Sequence, residues 1–236
     1  MQNKLLIIIP VLNEVNNILP IIKKIFKFLP TKKKHILFID DNSKDGTREK
    51  IYLAQKKFNK IYLIKRNSKL GIGSAHKVGL KWGFKKKYEK IITMDCDGTH
   101  NPIYINRLLK KLDTKKCQIV STNRFLDKNS LSDWNLWRVL LTKFRHKLIQ
   151  FFLKIQYDSS GAFRGYLVKN INIKDIFLAK NNSYSFFWES IFILSKKYKI
   201  KEIPIKLPGR LSGASKMKIK DILSAFFYLI KVYIKK

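Results

Sequence analysis

The chain has 236 residues, with 50 Lys and Arg against 16 Asp and Glu, and a formal charge of +34 at neutral pH. That length allows one large domain or two small ones with a true core. Its two cysteines, Cys96 and Cys117, exclude a disulfide framework and point to a reducing compartment.

The charge suits a polyanionic partner, either nucleic acid or an anionic membrane surface. Lys is spread along the whole chain, however, and Arg is scarce while Asn and Ile are abundant. That is the composition of an AT-rich coding sequence. A dedicated nucleic-acid binder would use more Arg for bidentate contacts. Compositional drift, with membrane attraction as a benefit, describes the charge better than nucleic-acid binding.

The first apolar run, residues 5–9, is too short for a signal peptide and reads as a strand. No stretch reaches the roughly 18 apolar residues of a membrane span. Further buried strands are expected at 35–39, 61–64, 91–94 and 118–121, with helices at 16–28, 47–58, 74–86 and 102–112 between them. This alternation predicts an α/β fold, a mainly parallel sheet with helices on both faces. After residue 125 the texture changes. Trp134, Trp137, Leu141, Phe144, Leu148, Phe151 and Ile155 fall on one helix face, and Arg138, Lys143, Arg145, Lys147 and Lys154 on the other. Ser132 and Asp133 are candidate N-caps for this helix, 133–155. It can lie in a membrane interface or pack on the core. A helix is expected at 185–198, a strand at 199–205, and a terminal helix, apolar almost all round, at 221–236. The last segment can be an interfacial anchor, a docking helix for a membrane partner or a terminal core helix, and with so little polar surface it reads better as a membrane or partner contact.

The chemistry gathers at the strand ends. Asp95 and Asp97 follow the apolar run 91–94, and ligands bind at that edge of open α/β sheets. Two hard oxygen donors there suit Mg²⁺ or Mn²⁺ shared with substrate phosphates. Cys96, between them, reads as a small turn residue. Glu14 and Asp41 end two neighbouring strands and can accept hydrogen bonds from a base or ribose. Asp45 and Thr47 read as turn and cap residues. Gly71-x-Gly73 follows a third strand and is weak evidence alone.

Together these motifs resemble family 2 glycosyltransferases of the GT-A type, and among them the polyprenol monophosphate mannose synthases. The resemblance runs through Pro10-x-x-Asn13-Glu14, Asp40-Asp41-x-Ser43-x-Asp45-Gly46-Thr47, Gly71-x-Gly73-x-Ala75 and Asp95-x-Asp97-x-x-His100-x-Pro102. It continues through Asn123-Arg124-Phe125, Trp134-x-x-x-Arg138, Asp158-x-Ser160-Gly161-x-Phe163-Arg164 and Arg210-x-x-Gly213-x-Ser215-Lys216. It implies a GT-A domain over residues 1–215 and a C-terminal apolar helix over 216–236. By this resemblance Pro10, Leu12 and Glu14 line the nucleobase pocket, with Ile39 and Asp41 beside base and ribose. Asp95, Cys96 and Asp97 hold the pyrophosphate and metal, with Thr99 near the metal. Arg124, Arg210 and Lys216 meet phosphates or the sugar, Asp97, Arg124 and Arg210 being the catalytic set. Arg138 and Arg164 are candidates for the acceptor phosphate.

The implied reaction is metal-dependent, inverting transfer from GDP-mannose to a polyprenyl phosphate on the cytosolic membrane face. A small membrane subunit is an implied partner at the last helix. UDP-glucose or another sugar nucleotide, with a lipid-phosphate or surface-glycan acceptor, stays open. Leu12 stands where the family has Tyr, Thr99 where Gln or Ser is common, and Asn123 in place of a small residue. The plainer reading of Arg124, Arg164 and Arg210 is ion pairing, with Asp158 as a partner of Arg164.

Overall fold

The computed structural model describes residues 4–30, 34–209 and 219–235. Seven strands form one sheet: β1 (Leu5–Val11), β2 (Lys34–Asp40), β3 (Ile61–Lys65), β4 (Lys90–Thr93), β5 (Ile119–Asn123), β6 (Arg164–Leu167) and β7 (Ile200–Pro204). Their order is β3-β2-β1-β4-β6-β5-β7, parallel throughout except for β6, which runs antiparallel to both its neighbours. The helices are α1 (Ile18–Phe28), α2 (Thr47–Lys57), α3 (Ile72–Lys85), α4 (Ile103–Asp113), α5 (Leu136–Leu153), α6 (Ile173–Phe177), α7 (Ser185–Ser195) and α8 (Ile219–Ile234). The expected mainly parallel α/β sheet is therefore present.

β6 and α6 were not expected from sequence. β6 reads Arg-Gly-Tyr-Leu, too short and too mixed to signal a strand, yet every residue in it is buried. Gly165 lies opposite Ile92, and a Cβ there would meet Leu112 Cδ1 at 2.9 Å. The strand exists because tertiary neighbours pair with it, an override of local propensity.

β1 explains the layering. Leu5, Ile7, Ile9 and Val11 pack into one apolar cluster with Ile18, Ile22 and Ile25 of α1. Leu6 and Ile8 pack into the other with Ala75 and Leu80 of α3. Alternate side chains leave opposite faces of a strand, so a run of apolar residues feeds two cores. α3 comes close enough to need glycine: a Cβ on Gly79 would stand 2.5 Å from Ile8 Cγ2.

α5 begins later than the spacing suggested. Its N-cap is Asn135, whose Oδ1 accepts from Arg138 N at 2.8 Å, and neither Ser132 nor Asp133 takes that role. Its apolar face is largely bare: Trp137 is 77% exposed, Leu141 64% and Phe151 76%. Only Ile149 and Leu153 of α5 are buried. α8 behaves alike, with Ile222, Leu223, Phe227 and Ile234 exposed and Leu229 buried. The two helices touch through the Phe152 and Tyr233 rings, whose centroids are 5.2 Å apart. No helix among the described residues is long and apolar enough to cross a membrane.

Gly79→Ala tests the α3 approach. Helix propensity alone favours Ala by about 1 kcal/mol, whereas overpacking costs about 1–3 kcal/mol. Urea unfolding is expected to show a net loss of stability.

Candidate active site

Parallel pairing brings the C-terminal ends of β1, β2 and β4 to one edge: Val11 pairs with Asp40, and Ile8 with Thr93. The first two loops are then clasped side by side. Ser43 Oγ accepts from Asn13 N at 2.8 Å, Thr47 Oγ1 from Glu14 N at 2.8 Å, and Asp45 Oδ2 from Val15 N at 3.1 Å. Asp45 also caps its own turn through Thr47 N. Turn-making and loop-clasping are thus both done by Asp45 and Thr47. Asn13 adopts a left-handed φ of 51° and accepts from Lys44 N. Asn tolerates that conformation better than bulkier residues.

The paired acids at the end of β2 have different tasks. Asp40 is fully buried and bonds Arg48 and Ser43 N. Asp41 organises the loop after β3. Its two oxygens accept from Leu70 N at 2.9 Å and Gly71 N at 3.0 Å, and Arg66 pairs with it at 3.1 Å. Gly71 has φ +92°, and a Cβ on it would meet Asn182 O at 2.4 Å. The Gly71-x-Gly73 pair is thus explained by close packing on the Asn182–Ser183 backbone. A Cβ on Gly73 would lie 2.7 Å from Ser183 O.

After β4, Asp95 N donates to His100 Nδ1 at 2.9 Å, which folds the loop back on itself. Thr99 donates to Asp97 Oδ1 through both its N–H, at 3.1 Å, and its hydroxyl, at 2.6 Å. The hydroxyl of Thr99 orients Asp97, and Thr99 is not on the cleft wall. The cleft is lined by Pro10, Leu12, Glu14, Asp41, Asp95, Cys96 and Asp97. Seven sequence-predicted residues therefore meet in one place. Ile39 does not reach it: the side chain is fully buried in the core beside Ile8.

Lys69, Ser183, Tyr184 and Asp221 also line the wall and were not singled out in sequence. They come from the β3–α3 loop, the approach to α7 and the first turn of α8. No motif links such distant positions. Asp221 is of note because the helix expected as a membrane or partner contact also contributes a side chain to the cleft.

The arginines divide by burial. Arg124, after β5, donates from N at 3.1 Å and Nε at 2.6 Å to Asp158 Oδ2. Ser160 bonds the other oxygen of Asp158. Burial opposes ionisation of Asp158, but Arg124's charge and hydrogen bonds outweigh it and hold the carboxyl below its ordinary range. Glu202 of β7 accepts from Asp158 N at 2.8 Å and from Asn123 Nδ2 at 2.9 Å. This explains the Asn: its Oδ1 also takes Phe125 N.

Arg164 corrects an expectation. It is 1% exposed, and its guanidinium donates to Gly161 O, Ser159 O, Phe187 O and Ser190 Oγ. It crosslinks the 159–161 loop to α7 and presents no open face to a phosphate. Nor does it take Asp158, which belongs to Arg124. Arg138 stays exposed, with its guanidinium 3.5 Å from the centre of the Trp134 ring. Arg210 and Lys216 lie outside the described residues.

Residues 6–173 match the model of glycosyl transferase family 2. The chain belongs to this family. It is a glycosyltransferase with the GT-A fold, and the nucleic-acid-binding reading of its charge gives way. It is 28% identical over 230 residues to a polyprenol monophosphomannose synthase of Mycolicibacterium smegmatis, covering 94% of this chain and 84% of that protein. It is 26% identical to an undecaprenyl-phosphate mannosyltransferase of Micrococcus luteus, over 91% and 87% of the two chains. Among solved structures it is similar to glucosyl-3-phosphoglycerate synthase from Mycobacterium tuberculosis, in complex with Mn²⁺, UDP and glucosyl-3-phosphoglycerate. The TM-score is 0.65 at 14% identity, over 97% of this chain and 77% of that one.

In this family 2 chain the donor set can be tested against a divalent ion. Among the described residues no group of three or more His, Cys, Asp or Glu could enclose a metal. Asp95 and Asp97 offer two carboxylates on one cleft, with Asp95 about a third exposed. This fits Mg²⁺ or Mn²⁺, which bind through one or two carboxylates and complete their shell with substrate phosphates and water.

Asp158→Asn should report the buried pair. A depressed carboxyl pKa stabilises the fold above the unfolded value, about 3.9, and the gain is lost as pH falls through the folded value. The variant is expected to be about 3 kcal/mol less stable at pH 7, because Arg124 is left buried and unpaired. Urea midpoints should converge with wild type only below about pH 4.

Proposed function

We propose that this glycosyltransferase moves mannose from GDP-mannose to a polyprenyl phosphate, with inversion at the anomeric carbon, on the cytosolic face of a membrane. The observation that carries the reading is the convergence of Pro10, Leu12, Glu14 and Asp41 with Asp95 and Asp97 on one cleft. The M. smegmatis relative, named for this reaction class, aligns along nearly the whole chain and supports the mannosyl and polyprenyl assignments.

Pro10 and Leu12 offer apolar surface to a base, and Asp41 holds the β3–α3 loop against it. Asp95 and Asp97 would hold Mg²⁺ or Mn²⁺, which when bound neutralises charge on the diphosphate leaving group. The acceptor needs cations and not a base. A phosphate monoester has a second pKa near 6 and is largely dianionic at neutral pH, so no proton has to be removed. One of its oxygens bonds the anomeric carbon. The bond to the donor diphosphate breaks on the opposite side, and its electron pair leaves with GDP. Arg124 and Arg138 supply positive charge on the acceptor side, and Arg210 and Lys216 are proposed to do so at the phosphates or sugar.

The exposed faces of α5 and α8 support membrane seating. Their exposed Trp137, Phe144, Phe151, Leu223 and Phe227 are interleaved with exposed Lys143, Lys147, Lys154 and Lys231. Apolar residues can enter the headgroup boundary while Lys meets anionic lipid. A small membrane subunit on α8 is the other occupant this face would accept.

The donor has a second reading, because Leu12 provides no aromatic ring for base stacking and the structurally similar M. tuberculosis enzyme was solved with UDP. Thermal shifts with GDP-mannose and UDP-glucose separate the two: greater stabilisation by GDP-mannose is expected, and equal stabilisation would undercut mannose.

Transfer of label from GDP-mannose into organic-extractable polyprenyl phosphate, with Mg²⁺, tests the reaction. Asp97→Asn should lose about 100-fold or more in kcat, the equivalent of several kcal/mol of charge stabilisation; full turnover would refute the metal assignment. In vesicle co-sedimentation, wild type should bind anionic vesicles more than neutral ones. Phe144→Glu with Phe227→Glu should release it, and retention of the double variant would place the membrane contact elsewhere.

A further inference from the structure

Arg145 takes no part in the roles described above. It lies seven residues after Arg138 on α5, hence on the same side of the helix and about 10 Å further along its axis. Its Nε is buried and has no hydrogen-bond partner. Buried donors are nearly always satisfied, so an orphan of this kind calls for an explanation.

The surroundings sharpen the question. Burial pushes the Arg145 pKa down to about 10, Arg124 pushes in the same direction, and Asp158 pulls it back. Asp158 is already committed to Arg124 and Ser160. Two guanidinium groups therefore share one carboxylate. The nearby Glu202 has its pKa raised by burial, and both of its oxygens already accept bonds, from Asp158 N and Asn123. His146 stacks on Phe125 at 4.0 Å, and burial keeps its pKa below the ordinary value. It supplies no negative charge. Neither carboxylate of the cluster, Asp158 or Glu202, bonds Arg145, so a buried guanidinium N–H is left without an acceptor, which is costly.

An anion supplies the missing acceptor, and a phosphate monoester brings up to two negative charges and three acceptor oxygens. About a quarter-turn round the same helix is the exposed apolar face of Trp137, Phe144 and Phe151. A lipid whose tail lies along that face has its headgroup at the level of α5.

We propose that Arg145, with Arg124, forms an anion subsite for the terminal phosphate of the lipid acceptor, Arg145 acting there as a binding residue for that phosphate. The proposal rests on the polyprenyl-phosphate reading above and adds a residue to it.

Calorimetry with citronellyl phosphate, a water-soluble short isoprenyl phosphate, and with inorganic phosphate tests it on the full chain. Arg145→Met keeps the length of the side chain and removes the charge. Its affinity for citronellyl phosphate should fall about 10-fold or more, as expected for a lost charge-assisted bond. The acceptor KM should rise in step, the KM for the sugar nucleotide should not move, and Arg145→Lys should recover part of the loss. A purely structural role for Arg145 would move the unfolding midpoint or both KM values together, and that result overturns the proposal. Equal citronellyl phosphate affinity in wild type and Arg145→Met overturns it too. If wild type neither binds nor mannosylates citronellyl phosphate, the acceptor reading fails. In that case inorganic phosphate binding weakened by Arg145→Met would keep the anion subsite for another phosphorylated acceptor, and unchanged phosphate binding would remove the subsite as well.

Discussion

The parallel register of β1 between β2 and β4 is the constraint on which the site depends. Because β1 is parallel to both neighbours, with Val11 opposite Asp40 and Ile8 opposite Thr93, all three strands run out to the same edge of the sheet. Their loops must share that edge, and the side chains that follow each strand arrive together. A slip of one residue in β1 would exchange the two apolar clusters it feeds, turning Ile7 and Ile9 toward α3 and Ile8 toward α1. The site is therefore protected by the same burial that holds the sheet together. Each fully buried Ile or Leu contributes about 1.5–3 kcal/mol, against about 0.5–1.5 kcal/mol for a neutral hydrogen bond between the loops.

Within that frame, the motif residues divide by what surrounds them. Asp40, Asp41 and Thr99 are conspicuous in sequence, yet much of their hydrogen-bonding capacity goes to Arg48, to the Leu70–Gly71 backbone and to Asp97. Their contribution is to hold other groups still, which is what a preorganised site requires. Arginine shows the same division. Arg164 is a buried crosslink, Arg124 is paired but close to the reaction edge, and Arg138 is exposed on Trp134. Residue type and spacing are alike in these cases, and burial separates them.

The second half of the molecule departs from the economy of a closed core. α5 and α8 leave large apolar side chains bare, amid a strong excess of Lys. Exposed patches of this size on a folded domain mark contact surfaces. α8 also delivers Asp221 to the cleft. The face proposed to meet a bilayer and part of the cleft wall thus belong to one helix.

Much of this was legible in the chain alone. Apolar runs of the right length, punctuated by Asn, Asp and Gly, determined the strands, the helices between them and the parallel class, because periodicity reports burial directly. Carboxylates directly after such runs determined the ligand edge and the choice of Asp95, Asp97, Glu14 and Asp41. Tertiary structure alone decided the rest. β6 is a strand only because β4 and β5 flank it. Arg164 turned inward and Arg145 lost its partner because of what packs around them. Lys69, Tyr184 and Asp221 joined the cleft from distant segments. Local sequence encodes which residues avoid water, but a buried charge takes its role from neighbours far away in the chain, and those are specified only when the fold closes.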